Sequence, residues 1–140
     1  MADTLRVVLV DDEDLVRSGL RLLLSNAPDI EVVAEASNGR DAVATVLDTQ
    51  PDVVLMDIRM PVMDGIAAVE KILSVHTVPI IMLTAFDTDS FILRALRAGA
   101  AGFLLKSTPP ESLMAAVRAA AAGQPLLSPQ VVDKLVSMQG

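Results

Sequence analysis

Val53-Val54-Leu55-Met56-Asp57 is a run of four apolar residues stopped by a carboxylate, and its reading decides the fold. So short a run, rich in β-branched side chains, reads as a parallel strand buried on both faces. The C-terminal ends of such strands are where open α/β sheets place their ligand sites. Upstream, Val7-Val8-Leu9-Val10 likewise runs into acids, Asp11, Asp12 and Glu13. Two carboxylates about 4 Å apart repel by about 4 kcal/mol at an effective dielectric of about 20. A cation, a proton or a wide separation must relieve that repulsion. The pattern therefore points to a hard metal ion and to chemistry on Asp57.

Outward from these two strands, short apolar runs alternate with helical patterns five times. Strands are expected at Leu5–Val10, Ile30–Ala36, Val53–Asp57, Ile80–Leu83 and Gly102–Leu105, the second being less apolar and so a candidate edge. Helices are expected at Asp14–Asn26, Arg40–Asp48, Asp64–Leu73 and Thr88–Ala98, and a fifth from Thr108. Val16, Leu20, Leu23 and Leu24 share one face of the first helix. Asp64 is a natural N-cap for the third, and Gly99 stops the fourth. Thr108, with Pro109 next and Glu111 three residues on, has the capping-box pattern with Pro at the first helical position. Leu113, Met114, Val117 and Ala121 form the buried stripe of that fifth helix. Repeated β-then-α units with short connections predict a parallel sheet covered on both faces. The expected fold is α/β, a flavodoxin-like, doubly wound, five-stranded sheet of order 2-1-3-4-5 with five helices. Strands one and three are then neighbours, and Asp11, Asp12 and Asp57 meet at the topological switch point. Gly123-Gln124-Pro125 ends the fifth helix. Ser128-Pro129 then restarts a helical pattern through Val131, Val132, Leu135 and Val136, read as a short C-terminal linker helix not needed to complete the sheet.

Composition narrows the function. The 140 residues suit one domain with a full core. Only 2% are aromatic, three Phe with no Tyr or Trp, which argues against a base-stacking surface. A net charge of −7 makes the domain a poor nucleic-acid binder by itself. The absence of Cys excludes disulfides and thiolate metal sites. No apolar run approaches the roughly 20 residues that span a bilayer, and Met-Ala-Asp-Thr-Leu-Arg at the N-terminus lacks a signal-peptide pattern. A soluble, cytoplasmic protein is expected.

Five groups fall at strand ends: Asp11 and Asp12, Asp57, Thr84 after the fourth strand and Lys106 after the fifth. The chemistry they could share is phosphoryl capture. Asp57 would be the nucleophile and form an acyl phosphate. Mg²⁺ prefers oxygen ligands and needs only one or two carboxylates. A hydroxyl and an ammonium, Thr84 and Lys106, could each hold a phosphoryl oxygen. Taken singly, each group has a plainer explanation: acids favour helix N-termini, Asp57 precedes the turn at Met60-Pro61, Thr84 could cap a strand, and Lys106 could be a solvated charge. His76, the only His, reads as a surface loop residue, and the seven Met as core filler.

Together, Val10-Asp11-Asp12, Leu55 to Gly65 (LMDIRMPVMDG), Leu83-Thr84-Ala85 and Leu104-Leu105-Lys106 resemble, in order, the receiver domain of two-component response regulators, a CheY-like fold. The resemblance covers about residues 4–122, so 1–122 is expected to be the receiver unit and 123–140 a linker. It implies that Asp57 accepts a phosphoryl group from a His of a sensor histidine kinase. It implies Mg²⁺ held by Asp12 and Asp57, by the backbone carbonyl of Arg59, and by Asp11 through water. Thr84 would move toward the phosphoryl group and Lys106 would pair with it. Phe103 stands where the family places an aromatic that turns inward on activation, although plain core packing would also account for it.

Two departures stand out. Ser107 follows Lys106 where many receivers have a cis Pro, so a trans bond is expected, a cis non-Pro bond costing about 3–4 kcal/mol. Arg59 and Phe86 occupy the positions that line the route of the hydrolytic water, and the bulk of Phe86 is expected to slow phosphoryl loss. Thr108-Pro109-Pro110-Glu111 and Leu127-Ser128-Pro129 resemble the NarL/FixJ-type subfamily, whose members usually carry a LuxR-type helix-turn-helix. Binding to DNA would then run only through a C-terminal domain not in this chain, with transcription as the output. A stand-alone receiver acting by protein contact is the alternative. The Ala-rich stretch Ala115–Ala122 with Leu15 and Leu22 suggests a homodimer through helices one and five. An aspartate-nucleophile phosphatase would want an acid where Arg59 stands, and no phosphate-cradling glycine motif follows the first strand. A signalling switch rather than a turnover enzyme is expected.

Overall fold

The computed structural model describes residues 4–84, 89–124 and 126–127, with only the backbone given for 89–92 and 126–127. Its strands are β1 (Leu5–Val10), β2 (Ile30–Ala36), β3 (Val53–Met56), β4 (Ile80–Thr84), β5 (Gly102–Leu105) and β6 (Leu126–Leu127). Its helices are α1 (Asp14–Leu24), α2 (Gly39–Thr49), α3 (Gly65–Leu73), α4 (Asp89–Ala98) and α5 (Pro110–Ala121). All strand pairs are parallel, in the order β2-β1-β3-β4-β5-β6. The five-strand order matches the expectation, with β2 at an edge.

Period-2 alternation explains why both faces are buried. Val8, Val10, Val54, Met56, Ile80, Met82 and Phe103 join one apolar layer with α2, α3 and α4 residues such as Val46, Ile72 and Ala95. Val7, Leu9, Val53, Leu55, Ile81 and Leu83 join the other with Leu24 of α1 and Leu113 and Val117 of α5. Side chains at successive strand positions point to opposite faces, so a strand covered twice must be apolar at every position. Among the described residues, no helix is long and apolar enough to cross a membrane.

Three expectations are corrected. The tail does join the sheet: Leu126 and Leu127 pair with Gly102 and Phe103, giving β5 a neighbour where it would otherwise be an open edge. Thr108 does not cap the fifth helix. Pro109 sits at the N-cap with φ −58° and ψ 148°, no side chain caps it, and the helix begins at Pro110. The physical reason is the second proline: a residue before Pro is pushed out of the helical region, so Pro109 cannot be the first helical residue. Finally, α1 stops at Leu24, two residues early, where Ser25 and Asn26 turn back with Ser25 N–H donating to Arg21 O and Asn26 N–H to Leu23 O. Asp64 caps α3 as expected, its carboxylate accepting the Ala67 N–H. There is no cis peptide bond among the described residues, Lys106–Ser107 included. The expected linker helix lies outside the described residues, as does Phe86.

Candidate functional site

Register brings the acids together. Val10 pairs with Met56, so the next residues, Asp11 and Asp57, leave neighbouring strands at the same level. The ladder runs one step further: Asp57 N–H donates to Val10 O at 2.9 Å and Asp11 N–H to Ala36 O at 3.1 Å. On the other side Thr84 pairs with Leu105, and Lys106 N–H donates to Thr84 O at 2.7 Å. Asp11, Asp57 and Thr84 are the buried polar side chains among the described residues, while Asp12 is exposed.

One lysine answers the acids. Lys106 Nζ lies 2.6 Å from Asp11 Oδ2 and 3.4 Å from Asp57 Oδ2. The other oxygens accept from the backbone: Asp11 Oδ1 from Glu13 N–H at 2.9 Å and Asp57 Oδ1 from Ile58 N–H at 2.8 Å. Burial pushes the Asp57 carboxyl above its ordinary value; Lys106 opposes this and Asp11 adds to it. Burial opposes the charge on Lys106, but its hydrogen bond to Asp11 and the fields of Asp57 and Asp11 prevail and hold the ammonium above its usual value.

Asp11, Asp12 and Asp57 each offer an oxygen, all within 4.8 Å of one another. Three carboxylates with one ammonium leave the cluster two negative charges in excess. An all-oxygen, charge-deficient set fits a hard divalent cation. Asp11 and Asp57 each have one oxygen near Lys106 and one accepting a backbone N–H. Arg59 lies two residues beyond Asp57 in the β3–α3 loop, and Phe103 is buried in β5, in the layer shared with Ala95 of α4. The structure thus gathers Asp11, Asp12, Asp57 and Lys106, with Thr84 at the adjacent strand end.

Sequence reasoning passed over two residues. Gly65 was read only as the end of the Leu55–Gly65 motif, with no role of its own, yet a Cβ there would lie 2.1 Å from the Asp57 carbonyl oxygen. A glycine immediately after the Asp64 cap was the available signal. Arg17, whose side chain is 15% exposed, was hidden because its link to Glu35 spans 18 residues and its bond to the Asp11 carbonyl is to backbone.

A doubly wound sheet with acids and a lysine at its switch point defines a class, and the comparisons name it. The response regulator receiver domain model matches residues 7–118, and the chain belongs to that family, the receivers of two-component response regulators. It is 43% identical over 136 residues to the uncharacterized transcriptional regulatory protein YxjL of Bacillus subtilis, covering 96% of this chain and 62% of that protein. A LuxR-family two-component response regulator from Aurantimonas shares the fold with a TM-score of 0.90 at 35% identity, covering 98% of this chain and 99% of that one. The receiver domain of a NarL response regulator from Mycobacterium tuberculosis gives a TM-score of 0.84 at 36% identity, over 87% of this chain and 99% of that one. The relatives are response regulators of the NarL/LuxR type.

Proposed function

We propose that Asp57 is the phosphoacceptor of this receiver and that Mg²⁺ assists the transfer. The observation that carries this is the buried Asp57 carboxylate beside Lys106 at the switch point. A carboxylate oxygen of Asp57 attacks phosphorus, the bond from phosphorus to the donor's leaving atom breaks, and the donor keeps that electron pair. A sensor-kinase imidazole is the proposed donor. Lys106 and the Thr84 hydroxyl then hold phosphoryl oxygens. Asp12, Asp57 and the Arg59 carbonyl would hold Mg²⁺, with Asp11 reaching it through water; when bound, Mg²⁺ neutralises charge that builds on the phosphoryl oxygens.

The chain works in this reading as a switch, with residues 1–122 as the receiver unit and 123–140 leading to a DNA-binding domain that acts on transcription. Leu15 and Leu22, 85% and 71% exposed on α1 and seven residues apart on one helix face, support a second copy as partner. Intact mass after incubation with acetyl phosphate and Mg²⁺ tests the core of the proposal. One added phosphoryl group is expected in the parent, and none in Asp57→Asn or without Mg²⁺. A parent that gains nothing from acetyl phosphate or from any candidate kinase defeats it. Light scattering before and after phosphorylation tests the dimer, and an unchanged mass counts against it.

A further inference from the structure

The loop that presents Asp12 is held by a residue outside the acidic cluster. The Asp11 carbonyl belongs to the peptide plane that joins Asp11 to Asp12, so whatever fixes that oxygen fixes the direction in which Asp12 leaves. Arg17 Nη1 donates to that oxygen. The same guanidinium reaches two more acceptors in other directions. Nη2 pairs with Asp14 at the start of α1, and Nε donates to Glu35 Oε1 on β2 at 3.2 Å. Glu35 is fixed in turn: Arg21 Nη1 holds its Oε2 at 2.5 Å, and its backbone is in register with Leu9 of β1. Arg17 therefore ties the β1–α1 loop to both the second strand and the first helix.

We infer that Arg17 is a positioning residue for the divalent cation site, setting the Asp11–Asp12 peptide so that the exposed Asp12 carboxylate faces Asp57. This rests on the metal reading proposed above. Three acceptors in three directions require a planar fork; a lysine ammonium is a point charge on a flexible stem and cannot span them. Asp11 shows why the peptide needs holding. Its side-chain oxygens are committed to Lys106 and Glu13 N–H, whereas among the described residues no donor to the Asp12 carboxylate belongs to this network. Asp12 is aimed by its backbone.

The test is Arg17→Lys, which keeps the charge and removes the fork, with Glu35→Gln as a second variant and Arg21→Lys as the control. Arg21 touches Glu35 but not the Asp11 carbonyl, so it carries the structural part of the network without the positioning part. Mg²⁺ alone is titrated calorimetrically, and amide exchange at Asp12 and Glu13 is followed with a chelator present. Loss of such an outer-shell contact typically weakens metal affinity by about 10–100-fold. Arg17→Lys is expected near the lower end, about 10-fold, with faster exchange at Glu13. Glu35→Gln is expected to fall between it and the parent, and Arg21→Lys to bind within about twofold of the parent. Parent-like affinity in both Arg17→Lys and Glu35→Gln overturns the inference while leaving the metal reading intact. So does an equal loss in Arg21→Lys. A parent that binds no Mg²⁺ overturns both.

Discussion

Replacing Lys106 with Met removes the ammonium that touches both buried acids and keeps most of the side-chain volume. The structure sets the magnitude. Lys106 Nζ is 2.6 Å from Asp11 and 3.4 Å from Asp57, and the acids with Asp12 lie within 4.8 Å of one another. At that spacing two unit charges repel by about 3 kcal/mol at an effective dielectric of about 20. Removing one partner of a fully buried pair costs about 3–5 kcal/mol. The Lys106 side chain is 17% exposed, so about 2–3 kcal/mol is expected near neutral pH once solvent screening is allowed for. The sign with pH follows from the shifts. Lys106 is held above its ordinary value of 10.5, so its contribution is complete throughout the neutral and mildly acidic range. Asp57 is raised above 3.8 and rises further without Lys106. Between the unfolded and folded values the native state then binds more protons than the unfolded chain, and stability falls as pH rises. The variant should therefore recover toward the parent as pH drops, because protonation removes the repulsion that Lys106 had offset. Urea unfolding by far-UV circular dichroism suits a chain with no Trp or Tyr. Measured with a chelator present, the gap between parent and variant should be wider at about pH 8 than at about pH 5. Millimolar Mg²⁺ at the higher pH should narrow it too. A gap equal at both pH values, and indifferent to Mg²⁺, would show that Lys106 matters for packing and that the electrostatic account is wrong.

Asp57→Asn should stabilise the chelated protein near neutral pH by about 1 kcal/mol, the scale of a buried group's uncompensated desolvation. Since the raised Asp57 value means its charge opposes folding above 3.8, the gain should vanish as pH approaches that value; a gain that grows on acidification contradicts the sign. Gly65→Ala places a methyl 2.1 Å from the Asp57 carbonyl oxygen, a clash with backbone that should cost at least about 3 kcal/mol in urea unfolding and slow the acetyl phosphate reaction. Full stability in that variant would mean the β3–α3 loop can move away from Asp57 freely. Asp64→Ala loses the carboxylate that accepts the Ala67 N–H at 2.8 Å and should lower stability by about 1 kcal/mol, with Asp64→Asn or Asp64→Ser restoring most of it. A thermal melt that leaves the alanine variant level with the parent removes the cap from the account.

Legibility in the sequence followed the physics of each element. Strands buried on both faces had to be continuous apolar runs, so β1, β3 and β4 could be read to within one residue at their ends, and the acids following β1 and β3 came with them. Their meeting was a consequence of strand order and needed no side-chain detail. What failed were decisions made by neighbours. Thr108 carried a capping-box pattern, but Pro110 excludes Pro109 from the helix and moves the start past the cap. Leu126 and Leu127 are too short a run to announce a strand, and only the open edge of β5 makes them one. Arg17 and Glu35 are 18 residues apart and sit in elements read separately, so no periodicity linked them. Gly65 was visible as a glycine, whereas the closeness of the Asp57 carbonyl appears only when β3 and α3 are placed together.

The charge on the site bears on how the proposed phosphorylation of Asp57 would act as a switch. Three carboxylates and Lys106 leave two negative charges in excess, and a divalent cation would bring that excess to zero. Phosphorylating Asp57 would remove one carboxylate charge and add about two, so the balanced site would acquire roughly one new negative charge. That charge arises among buried groups, where an uncompensated charge is costly, and it can be met only by donors the site can bring closer. The Glu13 and Ile58 amides already donate to Asp11 and Asp57. Lys106, whose ammonium already lies against Asp57, and Thr84 both stand at the β4–β5 side, tied to each other through the Lys106 N–H and the Thr84 carbonyl. In the proposed reading the response would run toward β4, β5 and the layer that Phe103 shares with α4, and away from the α1 side, where Arg17 holds the loop. A nearly complete switch needs about 5.5 kcal/mol of bias between the two states, which is on the scale of one charge moved from poor to good compensation in such a site.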